Sequence, residues 1–462
     1  MASLRFSISR SLIAAALLAG SALVAPISSN GASAETLDEA LARAYATNPT
    51  LLAARAGLRA TDEGVAQALS RWRPTVEASA DISRTQSYSN TRSPATRYST
   101  PRGQSLSIVQ PIYDPVASAA TDRAEFDVKA ARARLVTTEQ QVLLNAMSSY
   151  IDVVRDQAVL DLNINNEQRL RRQLDAANDR FRVGEITRTD VAQAEARLSR
   201  AVADRIQAEG NLAASRAVYR NNVGEMPASL AQPKSPVNLP ATQDEAVSVA
   251  TARFPDVLAA DYTEQSARAN VSAIEGELWP ELNLRGSLSA DQNASSRTSE
   301  ANSASITAEI NVPLYTAGSV AARIRAAKQT AVQRKLQLDQ ARRDAAETAT
   351  RSWESLETAR ASLRALDSEI QASQIALEGV EKEALVGSRT VLDVLDAEQE
   401  LLTAKVDLVG AQRDEVAAAY ELKAAIGSLT ARELGLQVPY YDEEQNYKTV
   451  RGKWWGNSIE GE

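Results

Sequence analysis

The chain has 462 residues, 44% of them hydrophobic but only 5% aromatic, with 4 Phe, no cysteine and no histidine. This composition excludes thiol nucleophiles, disulfides, Cys- or His-ligated metals and every His-dependent triad, so that only an enzyme built from carboxylates, Lys or Tyr would remain. The 51 Lys and Arg against 59 Asp and Glu give a net charge of −8, which argues against nucleic acid as a partner.

The first element in chain order is an address. Arg5 and Arg10 precede the apolar run Ser11 to Ala25, and Ala32-Ser33-Ala34 follows. Basic region, apolar region and A-x-A site are the order of a secretory signal peptide over residues 1–34, cleaved after Ala34. The apolar run is short for a membrane anchor, and no later run reaches about 18 apolar residues, so no transmembrane helix is expected in the mature chain. If that chain enters a membrane, it must do so as a β-barrel.

The mature chain is a tandem duplication. Leu37-Asp38-Glu39-Ala40 with Asn48-Pro49 recurs as Gln243-Asp244-Glu245-Ala246 with Phe254-Pro255. Trp72-Arg73-Pro74 recurs as Trp279-Pro280, Gln110-Pro111-Ile112-Tyr113 as Val312-Pro313-Leu314-Tyr315, and Val183-Gly184 with Asp190-Val191 as Val386-Gly387 with Asp393-Val394. The order is kept while the offset drifts by only a few residues. This gives a first repeat over 35–226, a Pro-rich linker over 227–240, a second repeat over 241–435 and a polar tail over 436–462 that is expected to be mobile.

Each repeat reads alike. A helical stretch from Thr36 to Arg71 ends at the Trp/Pro element, since proline cannot continue a helix. Two strands follow, at 75–90 and 104–112, and at 281–293 and 304–314 in the second repeat. Val76, Ala78, Ala80 and Ile82 alternate with Glu77, Ser79, Asp81 and Ser83, a period of two with one wet face. The Ser/Thr/Asn-rich segments Asn90 to Arg102 and Asn293 to Asn302 read as loops. Long helices are then predicted over 116–182 and 317–385. At 1.5 Å per residue each makes a rod of about 100 Å. Their apolar stripes, Leu143, Met147, Ile151, Val154 and Ala158 in one and Trp353, Leu356, Ala359, Leu363, Leu366 and Ile370 in the other, are narrow and coiled-coil-like. A Val-Gly turn leads each rod into a shorter helix, 189–222 or 391–427.

Four strands cannot close a barrel with a lumen, whereas three chains would supply twelve. The same three chains would set long helices side by side around water. Asp393 and Asp396 lie three apart, on one face near a helix N-terminus. On residue chemistry alone they read as a solvated, dipole-favoured pair. Gly184 and Gly387 read as helix C-caps. Trp72, Tyr113, Trp279 and Tyr315 fall at strand–helix junctions, where amphipathic aromatics suit a membrane boundary; core packing serves the two Trp equally well. Trp454 and Trp455 in the tail suggest no role.

The duplication, the L-D-E-A-L/N-P start, the Q-P-I-Y and V-P-L-Y strand ends, F-R-V-G-x-x-T-x-T-D-V from Phe181 and V-G-S-R-T-V-L-D-V-L-D-A from Val386 to Ala397 resemble the TolC family of outer-membrane export ducts, over essentially all of residues 35–435. The resemblance implies a mixed α and β fold: a homotrimer whose twelve-stranded β-barrel in the outer membrane continues into a long periplasmic α-helical barrel. It implies a passive conduit for multidrug efflux or type I secretion, without cofactor, metal or catalysis, working with a periplasmic adaptor protein and an inner-membrane transporter. By the same resemblance Asp393 and Asp396 form acidic rings at the periplasmic entrance. Arg389, Thr189 and Asp190 link helices that hold the entrance shut, with a bridge from Arg389 to Asp190. Val183, Gly184, Val386 and Gly387 become hairpin tips that receive the adaptor. The family's gate tyrosine falls on Ala384, so its hydrogen bond is missing. A secreted coiled-coil structural or adhesive protein is the competing class, but it leaves the paired strands unexplained.

Overall fold

A computed structural model describes residues 34–90, 95–293 and 298–459. The signal peptide lies outside the described residues apart from Ala34. In the first repeat, α1 (Leu37–Thr47) and α2 (Pro49–Ser70) lead to β1 (Thr75–Ile82), β2 (Thr85–Ser89), β3 (Ala95–Ser99) and β4 (Arg102–Tyr113), then α3 (Pro115–Arg182) and α4 (Arg188–Val223). In the second, α5 (Gln243–Arg253) and α6 (Pro255–Gly276) lead to β5 (Glu281–Gln292), β6 (Glu300–Asn311), α7 (Ser319–Leu385) and α8 (Val391–Ala425); α9 (Gln445–Arg451) lies in the tail.

The opening helix expected from Thr36 to Arg71 is two helices. Asn48 precedes Pro49 and takes φ −65°, ψ 122°, because a residue before proline is pushed out of the α region. Its side chain instead caps α2 by accepting the Thr50 N–H at 2.9 Å. Phe254, also before a proline, leaves the α region (φ −58°, ψ 128°) and breaks α5 from α6 without a side-chain cap. The strand expected over 75–90 is interrupted at Ser83-Arg84, and the loop expected from Asn90 to Arg102 contains β3. The β2–β3 hairpin (Thr85↔Ser99 to Ser89↔Ala95) prolongs the β1–β4 pair beyond a bend where Ser83 N–H donates to the Pro101 carbonyl.

The main sheet is antiparallel in the order β1-β4-β5-β6. Its register aligns like with like. Val76, Ile108, Gly286 and Ile306 form one cross-strand row, and Ala78, Leu106, Leu288 and Ala304 another. On the opposite face Ser79, Ser105, Ser289 and Ser303 share a row, with hydroxyl pairs Ser79–Ser105 at 2.7 Å and Ser289–Ser303 at 2.9 Å. The sheet therefore has one aliphatic and one hydroxyl face. Its outer strands β1 and β6 each pair on one side only, and both are exposed along their whole length.

Helices follow the sheet. α2 feeds β1, β4 feeds α3, α6 feeds β5 and β6 feeds α7, so the four staves stand in the order of the strands. At the junction of α6 with α3 the backbones nearly touch: a Cβ on Gly276 would lie 3.0 Å from Val116 N. Arg71 pairs with Asp114 at 2.9 Å and Arg323 with Glu277 at 2.6 Å across the two junctions. The largest core lies midway along the rods, where Leu143, Met147, Tyr150 and Ile151 of α3 meet Leu37, Leu41 and Tyr45 of α1, Tyr219 of α4, Tyr420 of α8 and Leu429 and Leu436 beyond it. The linker is fastened here, since Tyr150 Oη donates to the Ala231 carbonyl at 2.7 Å and buried Lys423 Nζ to that of Val237 at 3.0 Å.

The tail is docked, contrary to the expected mobility. Tyr441 N–H donates to Tyr45 Oη at 3.0 Å, Asn446 Nδ2 to Asp62 Oδ2 at 2.8 Å, and Arg451 pairs with Glu125 at 2.9 Å. Aromatic and amide groups spaced along the tail make it a ladder of contacts rather than a solvated chain.

Candidate functional site

The end of the molecule farthest from the sheet consists of two helical hairpins, α3–α4 and α7–α8, each turning on Val-Gly. Gly184 and Gly387 take φ +79° and +81°, the left-handed region in which L-residues are strained. Gly184 N–H donates to Phe181 O and Glu185 N–H to Arg180 O; Gly387 N–H donates to Ala384 O and Ser388 N–H to Glu383 O. This double bond pattern closes the last helical turn and satisfies carbonyls that have no helical partner. No atom lies within 4 Å of where a Cβ would stand on either Gly, and Val183 and Val386 are about four-fifths exposed. Both tips thus present a bare apolar knob beside open backbone.

The next helix of each hairpin starts on a capping box. Thr187 Oγ1 accepts the Asp190 N–H, while Asp190 Oδ2 accepts the Thr187 N–H at 2.8 Å; Thr390 and Asp393 repeat this, also at 2.8 Å. The Thr backbone and hydroxyl hydrogen bonds hold both carboxyls below the usual aspartate range. Asp393 therefore stands ionised at an exposed tip, and Asp190 does the same in the other hairpin. Thr189 is exposed one residue before Asp190.

The expected bridge from Arg389 to Asp190 is not formed in the chain. Asp190 is turned back to Thr187, and Arg389 Nε donates to Glu383 Oε2 at 2.9 Å within its own hairpin. That bond raises the Arg389 pKa and ties the α7–α8 turn beside Ala384. Near the tips the hairpins are joined instead by an ion pair between Arg197 of α4 and Asp396 of α8, and farther along the rods by one between Arg413 of α8 and Asp152 of α3 at 2.9 Å. Below the first pair, Leu170, Ala201 and Leu395 form a small apolar cluster joining α3, α4 and α8. Deeper still, buried Glu398 accepts from Gln173 Nε2 at 2.8 Å, and burial pushes its carboxyl up despite the nearby Arg169.

Asp393 and Asp396 are thus brought to one end of the molecule but carry different partners. The duplication separates them as well, since Asp393 has Asp190 as its counterpart whereas Asp396 is matched by Gln193. Thr187 and Thr390 were legible as T-x-x-D starts. Arg197 was not, because nothing local marks a partner 199 residues away. At the opposite end, Trp72 and Tyr113 flank the β1–β4 pair, where Gln110 Nε2 donates to the Trp72 carbonyl at 2.9 Å. Trp279 and Tyr315 are largely exposed at the matching places. Among the described residues no cluster of acidic side chains could hold a metal ion, and no helix is long and apolar enough to cross a membrane.

Comparison with known proteins gives one consistent result. The model of the outer membrane efflux protein family matches residues 40–224 and 246–428, one segment in each repeat. The chain is 38% identical over 454 residues to the outer membrane efflux protein BepC of Brucella suis biovar 1, covering 98% of this chain and 97% of that one. It is 28% identical over 411 residues to the outer membrane protein TolC of Vibrio cholerae, covering 87% and 92%. The fold is similar to that of the Campylobacter jejuni CmeC outer membrane channel, with a TM-score of 0.76 at 15% identity, covering 90% of this chain and 89% of that one.

Proposed function

The chain belongs to the outer membrane efflux protein family, and from that premise we propose how its own residues build and gate an export duct. The protein is an outer-membrane channel that extends into the periplasm and serves efflux or type I secretion. It works as a passive conduit rather than a catalyst. The observation that carries the reading is the open four-stranded sheet, aliphatic on one face and hydroxyl-lined on the other, continuous with rods of about 100 Å.

The sheet supports a trimer. Three copies joined β6 to β1 give twelve strands with no free edge, lipid against the aliphatic rows and water against the serine rows. The staves follow in the same order and close a helical barrel. At its far end three copies of Asp393 form an ionised ring that favours cations by electrostatic focusing. Asp396, paired with Arg197, ties the two hairpins together and holds the entrance narrow in place of the absent tyrosine. The bare Val-Gly tips, 183–184 and 386–387, form seats for the hairpin of a periplasmic adaptor, which joins the duct to an inner-membrane transporter.

Single-channel recording of purified trimers in planar bilayers tests the gate. Arg197→Ala should raise the conductance of the resting channel more than Arg389→Ser does. Asp393→Ala should lower cation preference. If Arg197→Ala leaves conductance unchanged and Asp393→Ala leaves selectivity unchanged, this assignment of the entrance is wrong. Deleting the gene and following both drug sensitivity and the secreted-protein profile identifies the cargo class.

A further inference from the structure

The main core places α1, the linker and the segment after α8 in one layer against the rods. The tail leaves that layer beside Tyr45, where Arg55 lies over both the Tyr45 ring (4.4 Å) and the Tyr441 ring (5.2 Å). It then climbs α2 on the same face, touching Asp62 through Asn446, Glu125 of α3 through Arg451, and finally Arg73. From Arg55 to the end of α2 at Ser70 the rise is about 22 Å, and Arg73 lies just beyond it. The climb ends at the foot of β1, whose first residue is Thr75.

The terminus of this strap is specific. Arg73 Nη1 donates to the Lys453 carbonyl at 2.7 Å, and its guanidinium stacks on the Trp454 ring at 4.9 Å. Lys453 Nζ donates to the Ser458 carbonyl at 2.7 Å, folding the last turn back. Trp455 is left 86% exposed, although burying such a side chain is among the most favourable uses of apolar area. It stands at the level of the strand–helix junctions, which also hold Trp72, Trp279 and Tyr315. An exposed Trp with Arg and Lys around it is the chemistry of the membrane–water boundary, where indoles lie among headgroups and cations meet phosphates.

We propose that the docked C-terminal strap is a membrane-interface anchor: it seats Trp454 and Trp455 in the phospholipid headgroup layer of the periplasmic leaflet, at the foot of β1. This rests on the reading that the strands span the outer membrane. It gives the tail a role separate from the pore: the strap couples the mid-rod belt to the bilayer and fixes the height of the barrel.

The chain has 5 Trp, so single-Trp variants test it in the full-length trimer. They are reconstituted in phosphatidylethanolamine vesicles with plain or brominated acyl chains. A Trp455-only chain (W72F, W279F, W353F, W454F) should lose fluorescence about twofold in brominated vesicles, as should a Trp279-only chain. A Trp353-only chain, about 51 Å along α7 from its start, should lose none. Adding R73Q to the Trp455-only chain should reduce the quenching, because the strap's last fastening is gone. Trp455 quenched no more than Trp353, with Trp279 still quenched, overturns the anchor and leaves the membrane reading standing. Trp279 unquenched as well overturns both. Heat-sensitive trimer mobility checks that each variant has assembled.

Discussion

At the scale of single residues, the hairpin tips are organised by caps. Asp190 and Asp393 each accept a backbone N–H from a Thr three residues earlier, and that bond first, the Thr hydroxyl second, lowers their pKa. Thr390→Ala should therefore destabilise the start of α8 by about 1 kcal/mol, read as faster amide exchange over the first turn of α8 than in wild type. Unchanged exchange there would contradict the cap. The sign of the pH effect follows from a folded pKa below the unfolded one. The stabilisation is fully present above the ordinary aspartate range and fades as the pH falls through the depressed folded value. Protection factors in the first turns of α4 and α8, corrected for the intrinsic exchange rate at each pH, should thus fall together in acid. The Thr-Asp spacing was visible in the sequence, and so was an alanine at 384 where the family resemblance leads one to expect a tyrosine. What was invisible is direction: Asp190 and Arg389 each have a nearer partner in their own hairpin, and short loops satisfy polar groups before long-range pairs can compete.

At the scale of elements, helix breaks and turns decide what each hairpin can do. The repeat offsets marked Asn48-Pro49 and Phe254-Pro255, yet the apolar pattern ran through them, because period alone does not register the restriction that proline puts on its predecessor. The Val-Gly turns were legible as caps, and the positive φ at Gly387 now says what a substitution does. Gly387→Leu strains that turn by about 1–2 kcal/mol while meeting no neighbour. It should leave trimer yield intact and abolish export; export at the wild-type level would remove the tip from the adaptor seat. Glu398 makes the opposite electrostatic case to Asp393. Burial raises its pKa, so the folded chain holds its proton more tightly, and stability falls as the pH rises from the ordinary glutamate value through the raised one. Glu398→Gln keeps the Gln173 contact without the charge. It should raise the thermal midpoint at about pH 7.5 and leave it unchanged near pH 4. Equal shifts at both would show that burial, not charge, sets the effect.

At the scale of the whole molecule, surface area argues for assembly. Among the described residues the long rods leave most of their surface uncovered in a single chain. α7 shows the reason, since eight of its 67 residues are buried. The rods, the strand pairs and the duplication could all be read from periodicity. The strap could not: its contacts are single aromatic, amide and guanidinium groups with no period, spread over a polar segment that resembles a disordered one in composition. The proposed duct requires three chains to close one barrel, and the absence of native cysteine makes that directly measurable. Ser79→Cys in β1, combined in turn with Cys replacing Ala301, Ser303, Ser305 or Thr307 on the same face of β6, should give after mild oxidation of outer membranes a covalent trimer for at least one pair, and nothing larger. Cross-linked products that stop at dimers, extend beyond trimers, or form for no pair in the series would contradict the closed twelve-stranded duct.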